Sequence, residues 1–165
     1  MPVFIGLLRG VNVGGNHKLK MAELKALCES AGLTDVSTYL QSGNVVFRTR
    51  AARAAAAERV KTALRERTGL DVAVVLRTPA ELRAVIDANP ITGDPNPSRL
   101  LVAFLSEEPT AEAKALLERE RVADEQLHFA GREIYSYYPE GAGTSRLANA
   151  MTDRKLKVTC TARNW

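Results

Sequence analysis

The sequence is poor in the residues that usually carry chemistry. Its 165 residues include two histidines and two cysteines, and only 5% are aromatic. Neither Cys28 nor Cys160 has a Cys or His companion at ligand spacing, and His17 and His128 stand apart from each other, so no metal centre is expected. Without a cysteine framework the thiols are expected to be reduced, as in a cytoplasmic protein. No apolar run approaches the roughly 18 residues of a membrane span. The N-terminal "MPVFIGLLRGVN" is apolar for a few residues only and has no basic leader, which suits a strand and not a signal peptide. Serines lie beside glycines in "LQSGN" and "GTSRL", but neither makes the G-x-S-x-G elbow of a hydrolase nucleophile. No complete catalytic constellation is legible, and no enzymatic activity follows from the sequence.

Acid is missing in a second, local sense. Residues 8–21, "LRGVNVGGNHKLKM", hold Arg9, Lys18 and Lys20 with no Asp or Glu. Residues 144–165 hold Arg146, Arg154, Lys155, Lys157 and Arg163 against Asp153 alone. The formal net charge of +4 is therefore concentrated at the two ends of the chain, which favours an anionic partner if those ends meet in space.

The elements present follow two periods. "VFIGLL" (3–8) reads as a buried strand. Met21, Leu24, Leu27, Cys28 and Ala31 mark one face of a helix ending at Gly32. "VSTYL" (36–40) and "VVFRT" (45–49) form a hairpin across "QSGN", and residues 51–69 form a helix. "VAVVLRT" (72–78) is a strand, after which Thr78, Pro79 and Glu81 have the spacing of a capping box. "NPITGDPNPS" (89–98) is proline-rich and reads as a linker. The order then repeats: a strand (99–106), a helix (110–122) capped by Thr110, a hairpin (126–131 and 133–139) through Gly131, a short helix (145–151) and a last strand (157–162). The acids of 117–125 read as a solvated helix face.

Both halves thus have the order strand, helix, strand, strand, helix, strand. The expected architecture is α+β: two ferredoxin-like (βαββαβ) subdomains packed as one compact unit, with subdomains 1–88 and 99–165 joined by the linker 89–98.

Known phosphate motifs fail in the glycine-rich stretch. Gly10, Gly14 and Gly15 do not have the G-x-G-x-x-G spacing of a dinucleotide fingerprint. Gly10 and Gly15 match the four-residue gap of an NTPase phosphate loop, but Asn16 replaces its lysine and no hydroxyl follows. No cofactor is expected. What survives is a strand feeding a helix through glycines, which either makes a tight turn or leaves backbone N–H groups for an anion. The strand order is also that of RNA-recognition motifs, and Phe4 falls where a stacking ring would stand. Asn44, Val46 and Phe47 do not supply the matching third-strand platform, so Phe4 is expected in the core. Tyr135 and Tyr137 share a strand face, where they could stack a ligand or pack against the other half.

Several segments together resemble a known family: "LLRGVNVGGNHKLKMAELKAL" (7–27), "DVSTYLQSGNVVFRT" (35–49), "RTPAEL" (77–82) with "NP" (89–90), and "TARNW" (161–165). The chain is identified as a member of the bacterial domain-of-unknown-function 1697 family. The resemblance runs from the first strand to the last residue and implies two ferredoxin-like subdomains; it implies no activity. The family's recurrent positions fall on Arg9, Gly10, Asn12, Val13, Gly14, Gly15, Met21, Ser42, Gly43, Asn44, Thr161, Arg163, Asn164 and Trp165. Ser145-Arg146-Leu147 stands where the family commonly has Ser-Lys-Leu, and the resemblance further implies a helix beyond Trp165.

The expected site therefore gathers Arg9, Asn12, Gly14, Gly15, Lys18 and Lys20 with Ser42 and Asn44, and with Arg163 and Asn164, around a phosphate-bearing or other anionic ligand: a nucleotide or a nucleic-acid backbone. The alternatives are a small-molecule enzyme using the same cleft, with His17 or Ser42 moving a proton, and an oligomerisation or scaffold module that binds a second copy of the chain. No membrane partner is expected.

Overall fold

The computed structural model describes residues 1–12, 18–93, 95–122 and 124–165. Two compact units, Met1–Ala84 and Val85–Trp165, divide the chain.

The first unit runs β1 (Val3–Leu8), α1 (Met21–Ser30), β2 (Thr34–Tyr39), β3 (Asn44–Arg48), α2 (Arg53–Thr68) and β4 (Val74–Arg77), followed by α3 (Pro79–Asp87), whose last residues belong to the second unit. Its four strands lie in the order β2-β3-β1-β4, every pair antiparallel. This is the ferredoxin-like arrangement that the βαββαβ order predicts. The period-2 alternation of the strands sends Phe4 and Leu8, Val45 and Phe47, and Val74 and Leu76 to one face. There they meet Leu24 and Cys28 of α1 and Ala56, Val60 and Leu64 of α2. Phe4 and Phe47 touch each other in this core, ring centroids 6.2 Å apart. The two rings that invite comparison with an RNA platform therefore point at the helices.

The capping box forms as its spacing predicts. Thr78 Oγ1 accepts the Glu81 N–H at 3.2 Å, and Glu81 Oε2 accepts the Thr78 N–H at 2.8 Å. Glu81 has a second role that no local pattern discloses. Its carboxylate takes a two-pronged bond from Arg53 at 2.9 and 2.7 Å, and the same guanidinium donates to the Leu76 carbonyl and lies over the Phe4 ring.

The second unit repeats the plan. Its strands β5 (Leu100–Leu105), β6 (Gln126–Ala130), β7 (Glu133–Tyr137) and β8 (Cys160–Asn164) lie in the order β6-β7-β5-β8, again antiparallel. Helix α4 (Ala111–Glu120) follows β5, while two short helices, α5 (Arg146–Ala150) and α6 (Asp153–Leu156), connect β7 to β8. Ala103, Leu105, Ile134 and Cys160 of the sheet pack with Leu117, Leu147 and Leu156 of the helices.

Two details depart from the sequence reading. Helix α6 was not anticipated, and β8 begins later than expected: Thr152 caps α6 through the Lys155 N–H, and Lys157, left-handed at φ 59°, ends it. Glu125 is not part of a solvated face. It is buried, accepts from the Ser145 hydroxyl at 2.6 Å and from the Val122 N–H, and so anchors the residue that caps α5. Both cysteines are free and buried.

Candidate functional site

The end of β1 and the β2–β3 turn meet at one corner of the first unit, and backbone bonds join them. The Leu8 N–H donates to the Gly43 carbonyl at 2.9 Å, while the Arg9 N–H donates to Ala73 just before β4. Gly43 has φ +85°, and a Cβ there would stand 3.0 Å from Leu8 Cβ and 3.3 Å from Val11 Cβ. Leu8 and Val11 are fully buried, so only glycine satisfies both the left-handed backbone and the close approach.

Asn12 completes the joint. Its Oδ1 accepts the Leu19 N–H at 2.7 Å, and its Nδ2 donates to the Leu19 carbonyl at 2.9 Å and the Gln41 carbonyl at 2.8 Å. Both amide protons and the amide oxygen are thus engaged with backbone. The residue adopts φ 57°, a conformation asparagine tolerates better than most side chains. Leu19 is buried, which leaves its neighbours Lys18 and Lys20 exposed on either side. Arg9 is exposed as well. Among the described residues Lys18 and Lys20 form no ion pair. Lys20 is the N-cap of α1 and provides no side-chain cap, so a cation stands at the positive end of a helix where an acceptor is usual.

Ser42 and Asn44 belong to the same corner. Asn44 Nδ2 donates to the Tyr39 carbonyl at 2.8 Å and to Ser42 Oγ at 3.0 Å, closing the turn on itself. Gly14, Gly15 and His17 lie outside the described residues. Arg163 and Asn164 sit in the second unit, on the edge strand β8. Arg163 donates to Thr161 Oγ1 at 2.7 Å and to the Ala162 carbonyl, and burial pulls its pKa below the ordinary arginine value. Asn164 donates to the Ser98 carbonyl at 2.8 Å, tying the chain's end to the start of β5. The structure thus brings Asn12, Ser42 and Asn44 together with the backbone that carries Arg9, Lys18 and Lys20.

Sequence reasoning overlooked two neighbours. Tyr39 and Leu40, on the same hairpin, are 67% and 62% exposed. The signal was available in the period of two: Thr38 pairs with the buried Val45, so Tyr39, one residue on, faces away from the helices. In the second unit Trp165 is 43% exposed, while Tyr135 and Tyr138 offer no such surface. Tyr135 is buried and donates its hydroxyl to the Val85 carbonyl at 2.7 Å, and Tyr138 is buried in the core beside Leu147. Burial pushes the pKa of both hydroxyls up.

A groove of about 710 Å³ between α1 and α2 is lined by Leu27, Ala31, Ala55, Arg59, Ala63 and Arg67 among others, and none of the predicted site residues borders it. Arg67 pairs with Glu23 at its rim. Among the described residues no three His, Cys, Asp or Glu side chains gather to hold a metal ion, and no helix is long and apolar enough to cross a membrane.

The fold and this corner define an α+β protein of two ferredoxin-like units, with a basic, glycine- and asparagine-rich corner on the first. The chain belongs to the family described as Protein of unknown function (DUF1697), whose model matches residues 1–135. It is similar in fold to a conserved bacterial protein from Streptococcus pneumoniae, with a TM-score of 0.77 and 24% sequence identity over 99% of this chain and 92% of that one. No curated protein matches the chain.

Proposed function

We propose that the protein binds a phosphate-bearing ligand at the corner where β1, the β2–β3 turn and the start of α1 converge. The observation that supports this most is the Asn12 clamp: one amide fixes Leu19, and with it the flanking Lys18 and Lys20, against the hairpin carrying Ser42 and Asn44. The backbone that carries Lys18 and Lys20 is held in place before any anion arrives, and residues 8–21 contain no acid. Arg9, Lys18 and Lys20 supply the charge. Asn12, whose amide is fully engaged, positions them, and Ser42 and Asn44 shape the turn beside them.

The test is calorimetric titration with inorganic tripolyphosphate and with nucleoside triphosphates, on the intact chain and on the Arg9→Ala/Lys18→Ala/Lys20→Ala variant. Binding is expected to weaken steeply with salt and to be lost in the variant. Absence of binding to any phosphate, or equal binding by the variant, overturns the proposal.

A further inference from the structure

Tyr39 and Leu40 are two consecutive large apolar residues left exposed at the corner just described. Leu40 also has φ 60°, a left-handed conformation that is an outlier for a bulky side chain and costs roughly 1–2 kcal/mol. Among the described residues neither belongs to the core on the helix side of the first sheet. The hairpin holds them out all the same. Asn44 grips the carbonyl of Tyr39, and Asn12 grips the carbonyl of Gln41, so the backbone on both sides of Leu40 is bonded in place.

The register defines what surrounds the ring. Tyr39 pairs with Asn44, and Asn44 with Leu7; in the next row Ser37 pairs with Val46, and Val46 with Ile5. These residues share the sheet face opposite the helices, where Val46 and Ile5 are half-buried and Ser37 is exposed. The ring therefore stands at the outer end of a partly apolar strip. The cations lie close by, since Gln41, bonded to the same amide as Leu19, is two residues and so at most about 7 Å from Tyr39.

From this juxtaposition we infer that the occupant is single-stranded nucleic acid, one base stacking on Tyr39 while the adjoining phosphates meet Lys18, Lys20 and Arg9. The inference rests on the phosphate-binding reading and gives it a ligand class. An exposed ring beside cations is the arrangement that takes a nucleotide by both of its parts, face and phosphate. A single strand is selected because bases in a duplex are stacked on one another and have no free face to offer. The absence of acid in residues 8–21 disfavours a basic partner surface.

The test uses fluorescence anisotropy of the full chain with a labelled oligothymidylate of about 15 nucleotides, a duplex of the same length, and inorganic tripolyphosphate as competitor. Tyr39→Ala is expected to weaken oligothymidylate binding about 5- to 150-fold, the measured range for loss of one stacked base, while Tyr39→Phe binds like the parent. Tyr39→Leu, which keeps an apolar side chain without a π face, is expected to match the alanine variant and serves if that one fails to fold. Tyr39→Ala leaves the salt dependence of the remaining affinity unchanged, whereas Lys18→Ala/Lys20→Ala lowers the logarithmic slope by about 1.4, at roughly 0.7 per single-strand phosphate contact.

Equal affinity of Tyr39→Ala and parent, or duplex bound as tightly as single strand, overturns the stacking inference and leaves phosphate binding standing. Absence of binding to oligothymidylate and tripolyphosphate alike overturns both. Self-association abolished by Tyr39→Ala, without oligonucleotide binding, overturns it in favour of a second copy of the chain.

Discussion

Gly43→Ala is the sharpest probe of the corner at which β1 meets the hairpin. The added methyl would lie 3.0 Å from Leu8 Cβ and 3.3 Å from Val11 Cβ, closer than the 3.4–4 Å of ordinary contact. Both neighbours are fully buried and have no solvent to retreat into. The hairpin cannot back away either without stretching the 2.9 Å bond from the Leu8 N–H to the Gly43 carbonyl. Two costs add. An alanine held at φ +85° loses roughly 1–2 kcal/mol, and overpacking a closed core costs about 1–3 kcal/mol, giving about 2–5 kcal/mol in all. For a chain of this size that lowers the melting temperature by about 4 to 20 °C. Gly10→Ala provides the control. Its φ is +74° but among the described residues nothing stands within 4 Å of its Cβ position, so it bears only the backbone cost of roughly 1–2 kcal/mol. Urea denaturation of the two variants side by side isolates the steric part. Equal losses at the two positions would refute the reasoning, for the close approach at Gly43 would then carry no weight.

Two further outcomes are expected. Asn12→Gly keeps the left-handed backbone but loses three hydrogen bonds, at a cost of about 2–3 kcal/mol, and Asn12→Asp costs more because a carboxylate oxygen then faces the Leu19 and Gln41 carbonyls; urea midpoints that match the parent would show that the clamp holds nothing. Cys28 is pushed up to about 12 from its ordinary 9.0, first by burial and then by Glu29. The folded state favours the neutral thiol, so its contribution to stability is intact below pH 9 and declines as pH rises from there toward 12. Cys28→Ala is expected to flatten that part of the alkaline decline, measured as the urea midpoint against pH, and an unchanged slope would count against it.

Much of the fold was legible because it is written in short-range patterns. The apolar run of 3–8, the β-rich 45–49, the helical stripe from Met21 to Ala31, and the Thr78–Pro79–Glu81 box all describe residues close together in the chain. Helix α6 escapes that logic, because its four residues carry too little periodicity to stand out. The site was legible only as a list. Asn12, Ser42 and Asn44 were singled out from their chemistry, yet Asn12 is engaged with Gln41, 29 positions on, and no local pattern encodes that bond. Glu125 reads as one more solvated acid because its partner, Ser145, is 20 positions on in the chain.

The order of elements in each half, hence two βαββαβ units, follows from the residues alone, because strand and helix periods and end signals are properties of chain neighbours. Tertiary structure alone decided which polar residues hold the fold and which face water. Asn12 became a clamp and Glu125 a buried anchor, while Tyr39 was left bare at a sheet edge. Burial and hydrogen bonding depend on what another part of the chain places opposite a side chain, and that is settled only when the strands pair.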